Sequence, residues 1–177
     1  MIKVNKTLCI LMASVSFAAS AQTCLESIEP THEDEQYVVN TDGTVTDVVN
    51  GLMWTYCTLG ESFANNTCTG SPTHYSTWQA ALKAASNFGS FAEHDDWRLP
   101  NIKELSNLVE RSCYNPAINL SAFPSTASAV YWSNTMDAND INTTTGIEGM
   151  LVDFTDGTQF LTDVNSHRLI RMVRDID

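Results

Sequence analysis

Asp96-Trp97-Arg98-Leu99-Pro100-Asn101-Ile102-Lys103-Glu104-Leu105 is the stretch on which the fold reading turns. Pro100 cannot sit inside a helix but is suited to its entry. Asn101 is a helix cap by type, and Glu104 three residues later completes the pattern of a capping box. Ile102, Leu105, Leu108 and Val109 recur at helical spacing and form one apolar face. A segment with one tryptophan therefore leads through a proline into a capped, amphipathic helix that needs a core to pack against.

Upstream, a first helix is expected with Ser76 as cap, its face made by Trp78, Ala81, Leu82 and Ala85, and Gly89 at its end. Before it, Gly60 to Ser76 reads as a polar loop. Thr44 to Val49 and Leu52 to Cys57 read as strands joined by a turn at Asn50-Gly51, since both residues tolerate positive φ. Downstream, the strand candidates are Val130 to Asn134, Met150 to Phe154, Thr158 to Thr162 and Leu169 to Arg174. Asp156-Gly157 marks the turn between the middle two. Two helices set between strands, not alternating with them, predict an α+β fold with antiparallel sheets.

The start of the chain reads as an export signal over residues 1–21: Lys3 and Lys6, an apolar run from Leu8 to Ala19, and a small-residue site at Ala19-Ser20-Ala21. The run is shorter than the roughly 20 residues of a bilayer span, so membrane insertion is not expected. Residues 22–37 read as a polar, solvated arm, although His32-Glu33-Asp34-Glu35 within it has a metal-seeking composition. Residues 38–177 read as one domain with its own core. An exported chain, periplasmic or extracellular, fits the even cysteine count left after Cys9 departs with the signal. Cys24, Cys57, Cys68 and Cys113 allow three pairings. Cys57 with Cys68 is favoured because they bracket one polar loop, which leaves Cys24 with Cys113. No CxxC pair or finger-spaced histidine suggests zinc.

The chain has 9 Lys+Arg against 21 Asp+Glu, a net charge of −12. Without Lys3 and Lys6 the balance is 7 against 21, or −14. Such a surface opposes nucleic acid and anionic membranes as partners. Neither H-E-x-x-H, G-x-S-x-G nor a nucleotide-binding glycine motif is present, and no catalytic residue is assigned. Asp137-Ala138-Asn139-Asp140-Ile141-Asn142 sets oxygen ligands at alternate positions, as in part of a calcium loop. It lacks the turn glycine and the closing glutamate, and a polar surface loop accounts for it as well. Calcium at Asp137, Asn139 and Asp140 is the one cofactor the residues suggest. Trp54, Trp97 and Trp132 are expected to converge in one core. Arg168, Arg171 and Arg174 form the one basic cluster, and some of them are expected to pair with nearby acids.

Taken in order, the motifs form a series: Asp42-Gly43-Thr44-Val45-Thr46-Asp47, Gly51-Leu52-Met53-Trp54, Thr77-Trp78-Gln79-Ala80-Ala81, and Asp96 to Asn101 followed by Lys103-Glu104-Leu105. Cys113-Tyr114-Asn115-Pro116-Ala117-Ile118-Asn119, Tyr131-Trp132-Ser133, Val152 to Gly157 and Val173-Arg174 complete it. The series resembles the Lcl C-terminal domain family, over roughly Val38 to Arg174. The resemblance implies a C-type-lectin-like fold with two helices, antiparallel sheets and long loops. It implies a bacterial, exported, adhesin- or lectin-like domain that binds a glycan or an envelope or surface protein without catalysis. A structural or accessory role in an envelope assembly is the alternative. The wider fold includes enzymes with a reactive cysteine pair late in the chain, but no cysteine follows Cys113, so that activity is not implied. By analogy with lectin-like folds, the ligand site is placed in the C-terminal half, on Asp137, Asn139, Asp140, Asn142, Asp153 and Asp156.

Overall fold

The structure is a computed structural model, and it describes residues 22–33, 35–137 and 148–176. The expected α+β class is found. Among the described residues the strands are β1 (Thr23–Cys24), β2 (Tyr37–Val39), β3 (Thr44–Asp47), β4 (Leu52–Thr55), β5 (Glu61–Ala64), β6 (Thr67–Gly70), β7 (Cys113–Tyr114), β8 (Val130–Met136), β9 (Glu148–Asp153), β10 (Thr158–Asp163) and β11 (Val173–Asp175). Two helices, α1 (Trp78–Ser86) and α2 (Ile102–Ser106), lie between β6 and β7 in sequence. The strands form sheets ordered β11-β4-β3-β2 and β10-β9-β8 and the small pairs β1-β7 and β5-β6, all antiparallel.

The Trp97 to Leu105 stretch holds these parts together. Asn101 Oδ1 accepts from the Glu104 amide, and Glu104 Oε2 accepts from the Asn101 amide, so the capping box is complete. The same Glu104 carboxylate takes a two-pronged bond from Arg98, at 2.8 and 3.0 Å, and Arg98 also reaches Asp175 on β11. Arg98 and Val173 exchange backbone bonds. A cap, a clamp and a sheet edge thus share one segment. The second helix is only five residues long, so Leu108 and Val109 lie beyond it, yet both are buried in the core.

The tryptophans do not share one core. Trp54 belongs to a cluster with Val45, Leu105, Phe123, Tyr131 and Val152, whereas Trp97 and Trp132 belong to another with Leu99, Leu151, Ile170 and Met172. Strand alternation is the reason. Successive residues point to opposite faces, so Tyr131 and Trp132, Leu151 and Val152, and Met172 and Val173 are divided between the two clusters.

Several boundaries differ from expectation. Thr77, not Ser76, caps α1, its Oγ1 accepting from the Ala80 amide. The polar loop after Gly60 contains the β5–β6 hairpin, turned by Asn65 and Asn66, both at positive φ. That is the asparagine turn chemistry of a tight hairpin. The strand expected from Leu169 is regular only over β11. The disulfides are Cys57–Cys68 and Cys24–Cys113, as favoured.

The N-terminal arm is polar and mostly exposed, but it is not a free, solvated segment. β1 pairs with β7 beside the Cys24–Cys113 bridge, and Gln22 Nε2 donates to the Pro116 and Ile118 carbonyls. His32 is buried, its Nδ1 lying 3.2 Å from Glu110 Oε2 and its Nε2 2.7 Å from the Asn107 carbonyl. This occupies the histidine of the metal-seeking stretch. Glu110 also accepts from the Thr31, His32 and Ser112 amides and the Ser112 hydroxyl. Burial alone would raise the Glu110 carboxyl, but these donors and the neighbouring His32 hold it down at about 2. A carboxylate with several N–H partners behaves in this way.

The expected pairing of some of these arginines with acids is met by Arg174, which donates to Asp96. Arg171 is fully buried and donates to the Thr55 and Tyr56 carbonyls and the Thr58 and Thr126 hydroxyls, with its guanidinium 4.8 Å from the Phe123 ring centre.

Two outcomes are expected. Arg171→Leu orphans two buried carbonyls and costs about 3 kcal/mol or more in urea unfolding, at roughly 1–3 kcal/mol per orphaned group; a change under about 0.5 kcal/mol would contradict the role given to it. For Glu110 the folded pKa lies below the unfolded one. Its contribution is therefore present above about pH 4.5 and is lost as pH falls toward 2. Glu110→Gln should flatten that part of the stability-against-pH curve.

Candidate functional site

Of the six residues expected to form a ligand site, the three that are described, Asp137, Asp153 and Asp156, do not lie together. Asn139, Asp140 and Asn142 lie outside the described residues. Asp137 follows β8, and its amide donates to the Glu148 carbonyl at the start of β9. Asp153 ends β9, five residues further along, or about 17 Å at strand rise. Asp156 lies beyond it in the β9–β10 turn. Asp137 is thus at one end of the three-stranded sheet, and Asp153 and Asp156 are at the other.

The two turn acids are engaged locally. Asp153 Oδ1 accepts from the Thr155 amide at 2.8 Å. Asp156 Oδ1 accepts from both the hydroxyl and the amide of Thr158, at 2.7 and 3.0 Å, and these bonds lower its carboxyl below the ordinary range. Such contacts are the common business of aspartates in turns. Among the described residues no group of three or more His, Cys, Asp or Glu side chains is placed to hold a metal ion.

A different surface has the form of a ligand site. A groove of about 460 Å³ lies between the start of α1 and the segment after β10, lined by Thr77, Trp78, Gln79, Leu82, Val164 and Asn165. Its volume falls within the ~300–1,000 Å³ range of small-molecule sites. The Trp78 amide donates to the Val164 carbonyl at 2.7 Å, which locks the two walls together. The indole is fixed as well: Nε1 donates to the Ser133 carbonyl at 2.8 Å. With its N–H satisfied inside the protein, the half-buried ring has only apolar surface to offer a ligand. Gln79 and Asn165, both exposed, supply amide donors and acceptors beside it.

Gly149 sets the indole's position from below. A β-carbon there would lie 2.7 Å from the Trp132 ring and 3.5 Å from the Trp78 ring. Glycine on this central strand lets Trp132 and Trp78 close over the backbone.

The helical apolar stripe places Trp78 on a core face, and the half-buried ring does pack against the second cluster while part of it lines the groove. Asn165 falls within the polar C-terminal half from which the site was expected, but no local pattern distinguished it from its neighbours.

The family model for the Lcl C-terminal domain matches residues 43–174. No curated protein and no solved structure matches the chain.

Gly149→Ala is expected to cost about 1–3 kcal/mol, as overpacking does, and to shift the tryptophan emission. Unchanged urea unfolding and an unchanged spectrum would show that the two rings do not depend on this glycine.

Proposed function

We propose that this chain, which belongs to the Lcl C-terminal domain family, is an exported, non-catalytic binding module of C-type-lectin-like architecture that recognises a glycan through the Trp78 groove. The observation that carries the reading is the groove itself: a fixed aromatic surface flanked by the Gln79 and Asn165 amides. Sugar rings present apolar C–H faces together with hydroxyls. An aromatic side chain meets the first, and amides, which both donate and accept, meet the second.

Export is supported by two disulfides in a small domain. Among the described residues no helix is long and apolar enough to cross a membrane. The acidic surface opposes a polysulfated ligand by long-range repulsion and favours a neutral one.

One observation favours the second reading, an accessory part of an envelope assembly. Val38 and Val39 on β2, with Val48 and Val49 beyond β3, are exposed large apolar residues on or near a sheet edge. Exposed apolar surface of this kind marks interaction sites when it is contiguous.

Screening the oxidised protein on a glycan array, with calcium and with chelator, tests the proposal. Binding of neutral glycans is expected. Gln79→Ala and Asn165→Ala should each weaken it about tenfold, the loss of one to two hydrogen bonds, without moving the unfolding midpoint. A blank array under both conditions, or binding that neither substitution alters, would overturn the glycan reading.

A further inference from the structure

A second cavity, distinct from the Trp78 groove, lies against the disulfide-stapled hairpin. It encloses about 300 Å³, and the parts of its lining that bear on its chemistry are Asp42, Glu61, Leu59, Phe63, Phe88 and Phe91. Three phenyl rings and a leucine make most of the wall apolar. Two carboxylates interrupt it, and no lysine or arginine lines it.

Three features of sequence and fold build this cavity. The Cys57–Cys68 bridge fastens the β5–β6 hairpin to the body and carries Glu61 and Phe63 with it. Gly43, at φ +88°, lets the Phe63 ring lie directly on the β2–β3 turn, because a β-carbon there would be 2.9 Å from the ring. Phe88 and Phe91 follow α1 and are braced edge-on against Trp97, with ring centres 6.2 and 5.7 Å from it.

The acids are only partly engaged by the protein. Asp42 Oδ1 accepts from the Thr44 amide and hydroxyl, and Glu61 Oε2 accepts from the Thr58 amide. The second oxygen of each takes no hydrogen bond among the described residues. The nearby cation, Arg171, is wholly buried and its Nη hydrogens are directed to the Thr55 and Tyr56 carbonyls and to the Thr58 and Thr126 hydroxyls. Two carboxylates against one guanidinium leave the site with a formal charge of −1. Burial pushes the Glu61 carboxyl up, a cost that an incoming cation would offset.

We infer that this cavity binds a lysine-type side chain, with the ammonium between Asp42 and Glu61 and the alkyl stem along Phe63, Phe88 and Phe91. A compact ammonium on a flexible apolar stem matches such a wall. Phenyl faces attract cations as well as methylenes. The net charge of the chain, −12, draws basic groups toward the surface. The partner is accordingly a protein or peptide that presents an exposed lysine, and binding here does not depend on the glycan reading of the other groove.

The test titrates the oxidised protein, followed by NMR, with Nα-acetyl-lysine-N-methylamide and with the norleucine analogue, which keeps the stem and lacks the ammonium. Pentylammonium is a third probe. The lysine probe should bind at least tenfold more tightly than the norleucine one, and added salt should narrow that gap by screening. Shifts should fall on the hairpin and on residues 88–91. Asp42→Asn and Glu61→Gln should each reduce lysine binding severalfold and leave norleucine binding unchanged, with thermal unfolding confirming that both variants are folded. Equal binding of the two probes, or no binding of either, would overturn the inference. Pentylammonium binding without lysine binding would overturn the assignment to a side chain.

Discussion

One buried cation joins most of the first core. The Arg171 guanidinium is withdrawn entirely from water and has no carboxylate in contact with it. Its compensation is made of dipoles: two carbonyls at the end of β4, two threonine hydroxyls from different loops, and the Phe123 ring. Thr58 passes the network on to the Tyr131 hydroxyl at 2.8 Å, and so to β8. Burying an ion with no carboxylate in direct contact is costly, and a planar fork of five donors is suited to satisfying several acceptors at once. The chain leaving β4, the loop at Thr126 and the strand β8 must therefore all be in place together. The cavity beside the stapled hairpin borders this network directly, since Thr55 and Thr58 line it.

The Asp96 to Leu105 segment has a complementary role at the β11 edge of the four-stranded sheet. Arg98 bonds at once to the Glu104 carboxylate that caps α2 and to Asp175 on β11, while Arg174 on the same strand bonds to Asp96. Ion pairs that keep at least one partner near the surface, as these do, contribute little one by one. Their value lies in alignment, since the cap, the clamp and the strand pairing agree on one geometry. Local and tertiary preferences that point the same way are what allow a sequence to specify one structure.

The N-terminal arm adds a third tie. Its composition is that of a solvated tail, but the Glu110 carboxylate collects amides from both the arm and its own turn. A tail that looks expendable in one dimension completes the hydrogen bonding of a buried acid in three. The disulfide between Cys24 and Cys113 restrains the arm's other end.

Much of this was legible in the sequence. The capping box, both disulfides, the α+β class and the hairpin turns at Asn50-Gly51 and Asp156-Gly157 follow from rules that act over a few residues: caps, turn conformations and apolar period. Turn chemistry also lies in Asn65-Asn66, yet the β5–β6 hairpin was hidden because its strands are polar and mostly exposed, so no alternation of apolar residues betrays them. What only the tertiary structure decided is whatever depends on which side of a strand faces which neighbour, and on which distant segments meet. Trp54 and Trp132 go to different cores because strands such as β8 and β9 pack against one cluster on each face. Asp137 and Asp153 stand apart because a strand separates them. Trp78 borders a groove because the Val164 carbonyl, 86 positions along the chain, accepts its amide. These are consequences of chain crossing and packing, and residue spacing along a single sequence carries no record of them.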